Sequence, residues 1–428
     1  QGAADEKDSM RALAIRGGPF STEERAQLLA YCAEDVSALV AVVEHLPPID
    51  VRHAELRGAY SALIGKIENI GVPVDLPTLL RLREAWPVTR GSLVADAGLE
   101  EFWPNGSFSA AAFESWLRRQ GIHWPRLPSG KPALDDQTFR TMAARDRRIG
   151  TIRETRHALS QLRLERIAVG TDGRNRTNLS PYGTKTGRNA PSNSQFIFGV
   201  PSWLRRLIMP EPGRALAYLD YSKQEYGIAA ALSGDRAMQA SYLSPDAYLD
   251  FAVQAGAAPL GATKASHGVV RDQFKACALG VLYGMGAETL AQRIGTDPIR
   301  AKALIDLHRR TFPDYWKWCR RVLDHAMLVL DVGTCFGWHL HITRETKRRT
   351  IANFPMQANG AEILRVACLR VAGLGIRICA PVHDALLIDA RTNEIDEAVA
   401  AAREAMIEAS RDVLGGFALK VDAKELMP

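Results

Sequence analysis

A chain of 428 residues with 46% apolar and 24% charged side chains has the balance of a globular protein of roughly three domains, which excludes a disordered or collagenous one. Its six cysteines (32, 277, 319, 335, 368 and 379) include no CxxC pair, so a disulfide scaffold is excluded and they read as buried thiols in a reducing compartment. The net charge of +6 is unevenly spread: residues 101–210 carry 18 Lys/Arg against 8 Asp/Glu, whereas residues 1–50 carry 4 against 9. A basic quarter beside an acidic end fits a surface for a polyanion such as nucleic acid, and equally a solvated basic face. No uninterrupted apolar run reaches the roughly 18 residues of a membrane span. The nearest, Val366–Val382, is broken by Arg370 and Arg377, and the first thirty residues lack an apolar signal core. Because Gln1 leads the chain, further sequence is expected upstream.

Helical periodicity runs from Thr22 to His45, with Pro47 and Pro48 as its stop, and again from Glu55 to Asn69, ending at Gly71. Residues 77–166 read as mostly helical around a polar loop at Leu127–Asp136, and Gly170–Gly213 as irregular. Ala215–Leu219 is a short apolar strand leading into Asp220, followed by helices from Glu225 to about Leu330. Gly375–Val382 and Ala385–Ile388 predict a hairpin with His383 and Asp384 at its turn. A helix over Ile395–Leu414 and a terminal strand over Phe417–Val421 complete an α+β, multidomain pattern.

Three clusters carry chemistry. Asp220-Tyr-Ser-Lys-Gln-Glu225 puts a carboxylate at a strand end, where it is either a metal ligand or a turn residue; Ser222 and Glu225 also fit a capping box for the next helix. Arg271, Lys275, Leu279 and Tyr283 recur every four residues along one side of a helix, suiting a ligand with a polyanionic end and a flat base, or else a solvated basic face over buried Leu and Tyr. His383-Asp384 at a turn is ordinary alone. With Asp220 and the basic helix it supplies two carboxylates for metals and a clamp for phosphates.

DYSxxE, RxxxKxxxLxxxYG and VHD, in this order, resemble motifs A, B and C of family A DNA polymerases, the bacterial DNA polymerase I type. Thr186-Gly-Arg188 resembles the family's TGR element, and Arg349-Thr-Ile-Ala-Asn353-Phe-Pro-Met-Gln357 its RxxxNxPxQ element. Leu127–Thr138 and Ile152–Leu164 resemble its thumb. The resemblance implies a right-hand polymerase fold, with an antiparallel palm sheet and helical fingers and thumb. It implies a thumb over 53–165, a palm over 166–224 and 345–428, and fingers over 225–344. It further implies an enzyme adding deoxynucleoside triphosphates to primer-template DNA with two Mg²⁺ ions, Mn²⁺ being a substitute. Such an enzyme is expected to be a monomer, cytoplasmic at the bacterial nucleoid and not membrane-bound.

Carried over by position, Asp220, the Tyr221 carbonyl and Asp384 would hold metal, and Arg271 and Lys275 the triphosphate. Gln224, Leu279, Tyr221 and Tyr283 would border the nucleotide, with Glu225 as the gate against a ribose 2′-hydroxyl. Arg188 and His383 would lie by the primer terminus, and Arg349, Asn353 and Gln357 on the duplex. The chain departs from the pattern at Lys223 and Pro381 (usually Gln), Tyr248 (usually His), Leu279 (usually aromatic) and Ala385 (usually Glu). Tyr31 and Asp35 resemble the YxxxD motif of the 3′–5′ exonuclease domain that precedes such polymerases, so residues 1–52 are expected to be a remnant of that domain. The competing expectations are a single-subunit RNA polymerase, and a catalytically silent DNA-binding module attached to an exonuclease.

Overall fold

The computed structural model describes residues 2–45, 50–161 and 164–426, so Pro47 and Pro48, and residues 162–163 of the expected thumb helix, lie outside the described residues. Two compact units divide the chain, residues 1–58 and 59–428. The first holds α1 (Gly2–Arg16) and α2 (Thr22–Glu44). Ser21 opens α2 through a capping box: its hydroxyl accepts from the Glu24 amide at 3.1 Å, and the Glu24 carboxylate accepts from the Ser21 amide at 2.8 Å. None of the α2 side chains is buried. With a mean hydropathy of 1.5 over its most apolar window, α2 is long and apolar enough to cross a membrane by length and composition alone. The apolar stretch Val366–Val382, interrupted by Arg370 and Arg377, divides between a helix and a strand. Its apolar runs, Leu28–Ala33 and Ala38–Val43, are separated by Glu34, Asp35 and Ser37.

The helix α3 (Val51–Ile70) stops at Gly71, whose φ is +67° and where an added Cβ would lie 2.7 Å from the Asn175 carbonyl oxygen. Beyond it the short strand β1 (Val72–Pro73) pairs with β2 (Arg174–Asn175). Four helices fill the span between: α4 (Leu76–Asp96), α5 (Ala110–Arg119), α6 (Asp136–Ala143) and α7 (Arg147–Gln161). Asp75, Ser109 and Asp135 cap α4, α5 and α6 by accepting from amides three residues on. A separate aromatic core, including Phe102, Phe113, Trp116, Trp124 and Phe139, holds this region together.

The centre of the second unit is a four-stranded antiparallel sheet formed, in this order across it, by Arg377–Val382, Ala385–Arg391, Arg214–Tyr221 and Val421–Leu426. Its third strand in that order, β3 (Arg214–Tyr221), buries Leu216, Ala217 and Leu219 completely, because strands flank both its edges and helices pack on the sheet. The chain then forms α8 (Gln224–Ser233), α9 (Arg236–Leu243), α10 (Ala247–Gln254) and α11 (Lys264–Leu282). These are followed by α12 (Ala287–Ile294), α13 (Pro298–Thr311) and α14 (Pro313–Val329). The hairpin β4 (Asp331–Gly333) and β5 (His339–His341) leads into α15 (Arg348–Gly373). The strands β6 (Arg377–Val382) and β7 (Ala385–Arg391), the helix α16 (Ile395–Val413) and β8 (Val421–Leu426) close the sheet.

Three elements differ from expectation. No local pattern signals α15, because it is buried on most of its circumference and so lacks an amphipathic period; it also contains Pro355, whose carbonyl accepts from the Asn359 side chain at 2.8 Å. The hairpin β4–β5 was not foreseen. The last strand begins at Val421 rather than Phe417: the Leu419 amide donates to the Ser410 hydroxyl and the Lys420 amide to the Tyr242 hydroxyl, which takes these groups out of ladder pairing. All six cysteines are free, and three are buried, but Cys32 and Cys335 are exposed, contrary to the expectation of uniformly buried thiols.

Candidate active site

The two carboxylates of the sequence pattern meet where the end of one strand runs beside a hairpin turn. Asp220 near the end of β3 stands opposite Ala385 of β7, and the Tyr221 amide donates to the Asp384 carbonyl at 3.3 Å. The turn carrying Asp384 is tight, with His383 at φ +58°. On the other flank β8 sets Asp422 opposite Asp220, and the Ser222 hydroxyl donates to the Asp422 carboxylate. Burial, then the Asp384 and Asp422 carboxylates, push the Asp220 pKa up to about 6. Burial also raises that of Asp384, against the lowering pull of Arg188 and His383. Asp220 Oδ1 is buried without a hydrogen-bond partner. Asp422 escaped the sequence analysis because its strand was placed too early; the alternation from Val421 onward was the available signal.

Glu225 lies in the first turn of α8 but caps nothing. The N-cap is Lys223, in the left-handed region at φ 51° and ψ 46° with no side-chain cap, and Ser222 is turned to Asp422. The expected capping box is therefore absent. Instead the Glu225 carboxylate accepts from Arg188 at 2.9 Å and from the Tyr283 hydroxyl, and burial followed by this contact raises the Tyr283 pKa to about 12. Three elements far apart in sequence thus converge on one carboxylate: the 184–188 turn, α8 and the end of α11.

Arg271, Lys275 and Leu279 lie along α11 as spaced, while Tyr283 is its C-cap, followed by Gly284 at φ +63°. Arg271 is paired with Asp246, the N-cap of α10, and with Asp272 at 3.2 Å. Lys275 is exposed, and Leu279 packs against the main core.

Arg349, Asn353 and Gln357 recur every four residues on α15. Arg349 is exposed beside Gly284, and Asn353 Oδ1 is buried without a hydrogen-bond partner. His383 and Arg188 line one cleft of about 260 Å³. Two expectations are corrected. Gln224 is 3% exposed, and its Oε1 would lie 2.6 Å from a Cβ added at Gly360, so it packs α8 onto α15 instead of bordering a ligand. The Tyr221 side chain is also inward, donating to the Met406 carbonyl at 2.6 Å, which leaves only its backbone for the site. Tyr31 and Asp35 fall on α2, in the other unit.

Among the described residues no three His, Cys, Asp or Glu side chains form a complete metal-ligand group. The site offers a carboxylate pair with one orphaned buried oxygen, and the uncompensated negative charge there fits a divalent cation.

The antiparallel sheet with carboxylates at one end and helices packed on it is that of the right-hand polymerase fold. The POL domain of Pol1 from M. smegmatis, solved in complex with DNA primer-template and dNTP, has this fold with a TM-score of 0.69 and 22% identity, over 86% of this chain and 69% of that one. The sequence pattern of DNA polymerase family A matches residues 128–424, and the chain belongs to that family. It is 29% identical over 257 residues to the thermostable DNA polymerase I of Thermus thermophilus, covering 55% of this chain and 30% of that protein. It is 28% identical over 264 residues to DNA polymerase I of Chloroflexus aurantiacus, covering 56% and 28%. The chain thus spans roughly 30% of the length of the curated relatives it matches.

Proposed function

We propose that this chain is a template-directed DNA polymerase, extending a primer 3′-hydroxyl with deoxynucleoside triphosphates. The observation that carries the reading is the convergence of Asp220 on β3 with Asp384 at the β6–β7 turn, with the Arg188–Glu225–Tyr283 cluster near the same sheet end. In this reading residues 53–165 are the thumb, 166–224 and 345–428 the palm, 225–344 the fingers, and 1–52 an exonuclease remnant. The protein acts as a monomer, in the cytoplasm at the bacterial nucleoid.

Two divalent ions held by Asp220, Asp384 and the Tyr221 carbonyl, Mg²⁺ or Mn²⁺, would supply the charge that activates the hydroxyl and steadies the leaving pyrophosphate. Arg271 and Lys275 hold the triphosphate and orient it toward the carboxylates. Glu225, fixed by Arg188 and Tyr283, fills the space beside the sugar 2′ position and selects deoxyribose. Arg349, Asn353, Gln357 and His383 bear on the duplex and primer end. The basic 101–210 stretch supplies phosphate contacts, which set affinity with little regard to base sequence.

The test is primer extension with Asp220→Asn and Asp384→Asn. Each is expected to lose extension by at least about 10³-fold, the scale of losing an essential electrostatic group, while primer-template affinity stays within about threefold because binding rests on phosphate contacts. Substantial extension by either variant would remove the assignment.

A further inference from the structure

Two departures from the family pattern, Lys223 and Tyr248, are neighbours in space. The Lys223 ammonium lies 5.9 Å from the centre of the Tyr248 ring. Arg271 and Lys275 approach the same ring, at 5.6 and 5.9 Å. Tyr248 is 4% exposed and braced edge-to-face by Tyr226 at 6.2 Å, so the ring is a fixed post around which three cations gather. One of them comes from the turn directly after β3, three residues past Asp220, and the other two from α11.

The positive charge is poorly balanced from within. Asp246 and Asp272 are both engaged by Arg271. Among the described residues no carboxylate lies within ion-pair distance of the Lys223 or Lys275 ammonium, and Lys420 adds a further cation near Lys223. The backbone at Lys223 is left-handed, a conformation that crowds the Cβ of a non-glycine residue. A half-buried lysine thus stands where glycine or asparagine would suit the backbone better, beside two further cations at the Tyr248 ring.

We infer that Lys223 is a third triphosphate-binding cation, donating from the β3–α8 turn to the pyrophosphate portion of the incoming nucleotide that Arg271 and Lys275 hold from α11. The inference rests on the polymerase reading for the identity of its ligand. The ligand class, a condensed polyphosphate, fits the cluster itself: three cations around one ring, of which only Arg271 is paired with acids, suit a chain of linked phosphates.

The experiment pairs steady-state extension by the whole chain with titration of inorganic tripolyphosphate in metal-free buffer. Lys223→Gln is expected to raise KM for the deoxynucleotide about tenfold, the weight of one charge-assisted hydrogen bond, with kcat within about twofold and primer-template affinity unchanged. Lys223→Arg is expected to restore KM. Tripolyphosphate affinity should fall in Lys223→Gln by a similar factor. Lys223→Gly keeps the test sound, since it removes the ammonium while relieving the left-handed backbone, and it is expected to match Lys223→Gln. Wild-type KM and tripolyphosphate affinity in both variants would overturn the inference. Absence of extension by the wild-type chain would instead count against the polymerase reading, and the tripolyphosphate titration would then decide the Lys223 site by itself.

Discussion

At the residue scale, Glu225 shows how one side chain can satisfy two sequence readings that only contacts separate. A Ser-x-x-Glu spacing at a helix start fits a capping box, yet Ser222 is turned to Asp422 and Glu225 to Arg188 and Tyr283. A helix whose N-cap is Lys223 loses no cap when Glu225 is changed, so Glu225→Ala should leave stability within about 1 kcal/mol, below the usual upper range for a lost cap. If the carboxylate is the sugar gate, the same substitution should raise the ratio of ribonucleotide to deoxynucleotide kcat/KM by about 100-fold or more, corresponding to about 3 kcal/mol of lost discrimination. Glu225→Gln should fall between, keeping bulk while losing the charge that Arg188 meets. Measuring kcat/KM for both sugars in each variant checks this, and an unchanged ratio in active Glu225→Ala would leave Glu225 as a brace for Tyr283 alone.

At the scale of elements, the turn that presents Arg188 is held from outside itself. Gly187 sits at φ +70° with the Trp338 ring 3.1 Å from where a Cβ would stand. The Trp338 indole donates to the Lys185 carbonyl at 3.0 Å, and buried Arg365 donates to the Gly187 carbonyl at 2.6 Å while pairing with Glu362 at 3.0 Å. The β4–β5 hairpin and α15, the two elements the sequence did not announce, therefore fix the geometry of the TGR segment that it did. Gly187→Ala should cost about 1–2 kcal/mol from the backbone alone, and more if Trp338 cannot yield. Denaturant unfolding should show that loss, and extension at saturating nucleotide should fall because Arg188 no longer meets Glu225 squarely. A variant with native stability and full activity would show that the turn relaxes freely.

At the scale of the whole molecule, the carboxylate end of the sheet opposes the stability of the fold that carries it. The folded pKa of Asp220 is about 6 against an ordinary 3.8, so between those values the native state binds more protons than the unfolded one. Stability from this group therefore falls as pH rises through that window, and the penalty is complete above it. In metal-free buffer Asp220→Asn should be more stable than the wild type at pH 8, by about 1 kcal/mol once partial solvent screening is allowed for. The gap should close toward pH 4, and thermal melts of both proteins across that range measure it. A pH-independent gap would mean that packing of the new amide, not charge, sets the difference.

The sequence by itself determined the elements with a local period and the residues with a fixed local spacing. The strand into Asp220, the hairpin at His383-Asp384 and the four-residue row from Arg271 to Tyr283 were legible because alternation, turn position and helical repeat are short-range properties. The family followed from the order of those motifs, since order along a chain survives where overall identity is low. Tertiary structure alone decided which side chains face the site. It turned Gln224 and Tyr221 inward, brought Asp422 across from Asp220, and set Lys223 beside Tyr248. These outcomes depend on strand register and on contacts between segments up to two hundred residues apart, and no local pattern encodes them. The same reason hid α15: a helix buried on most sides carries no amphipathic stripe, so only the packing around it reveals where it belongs.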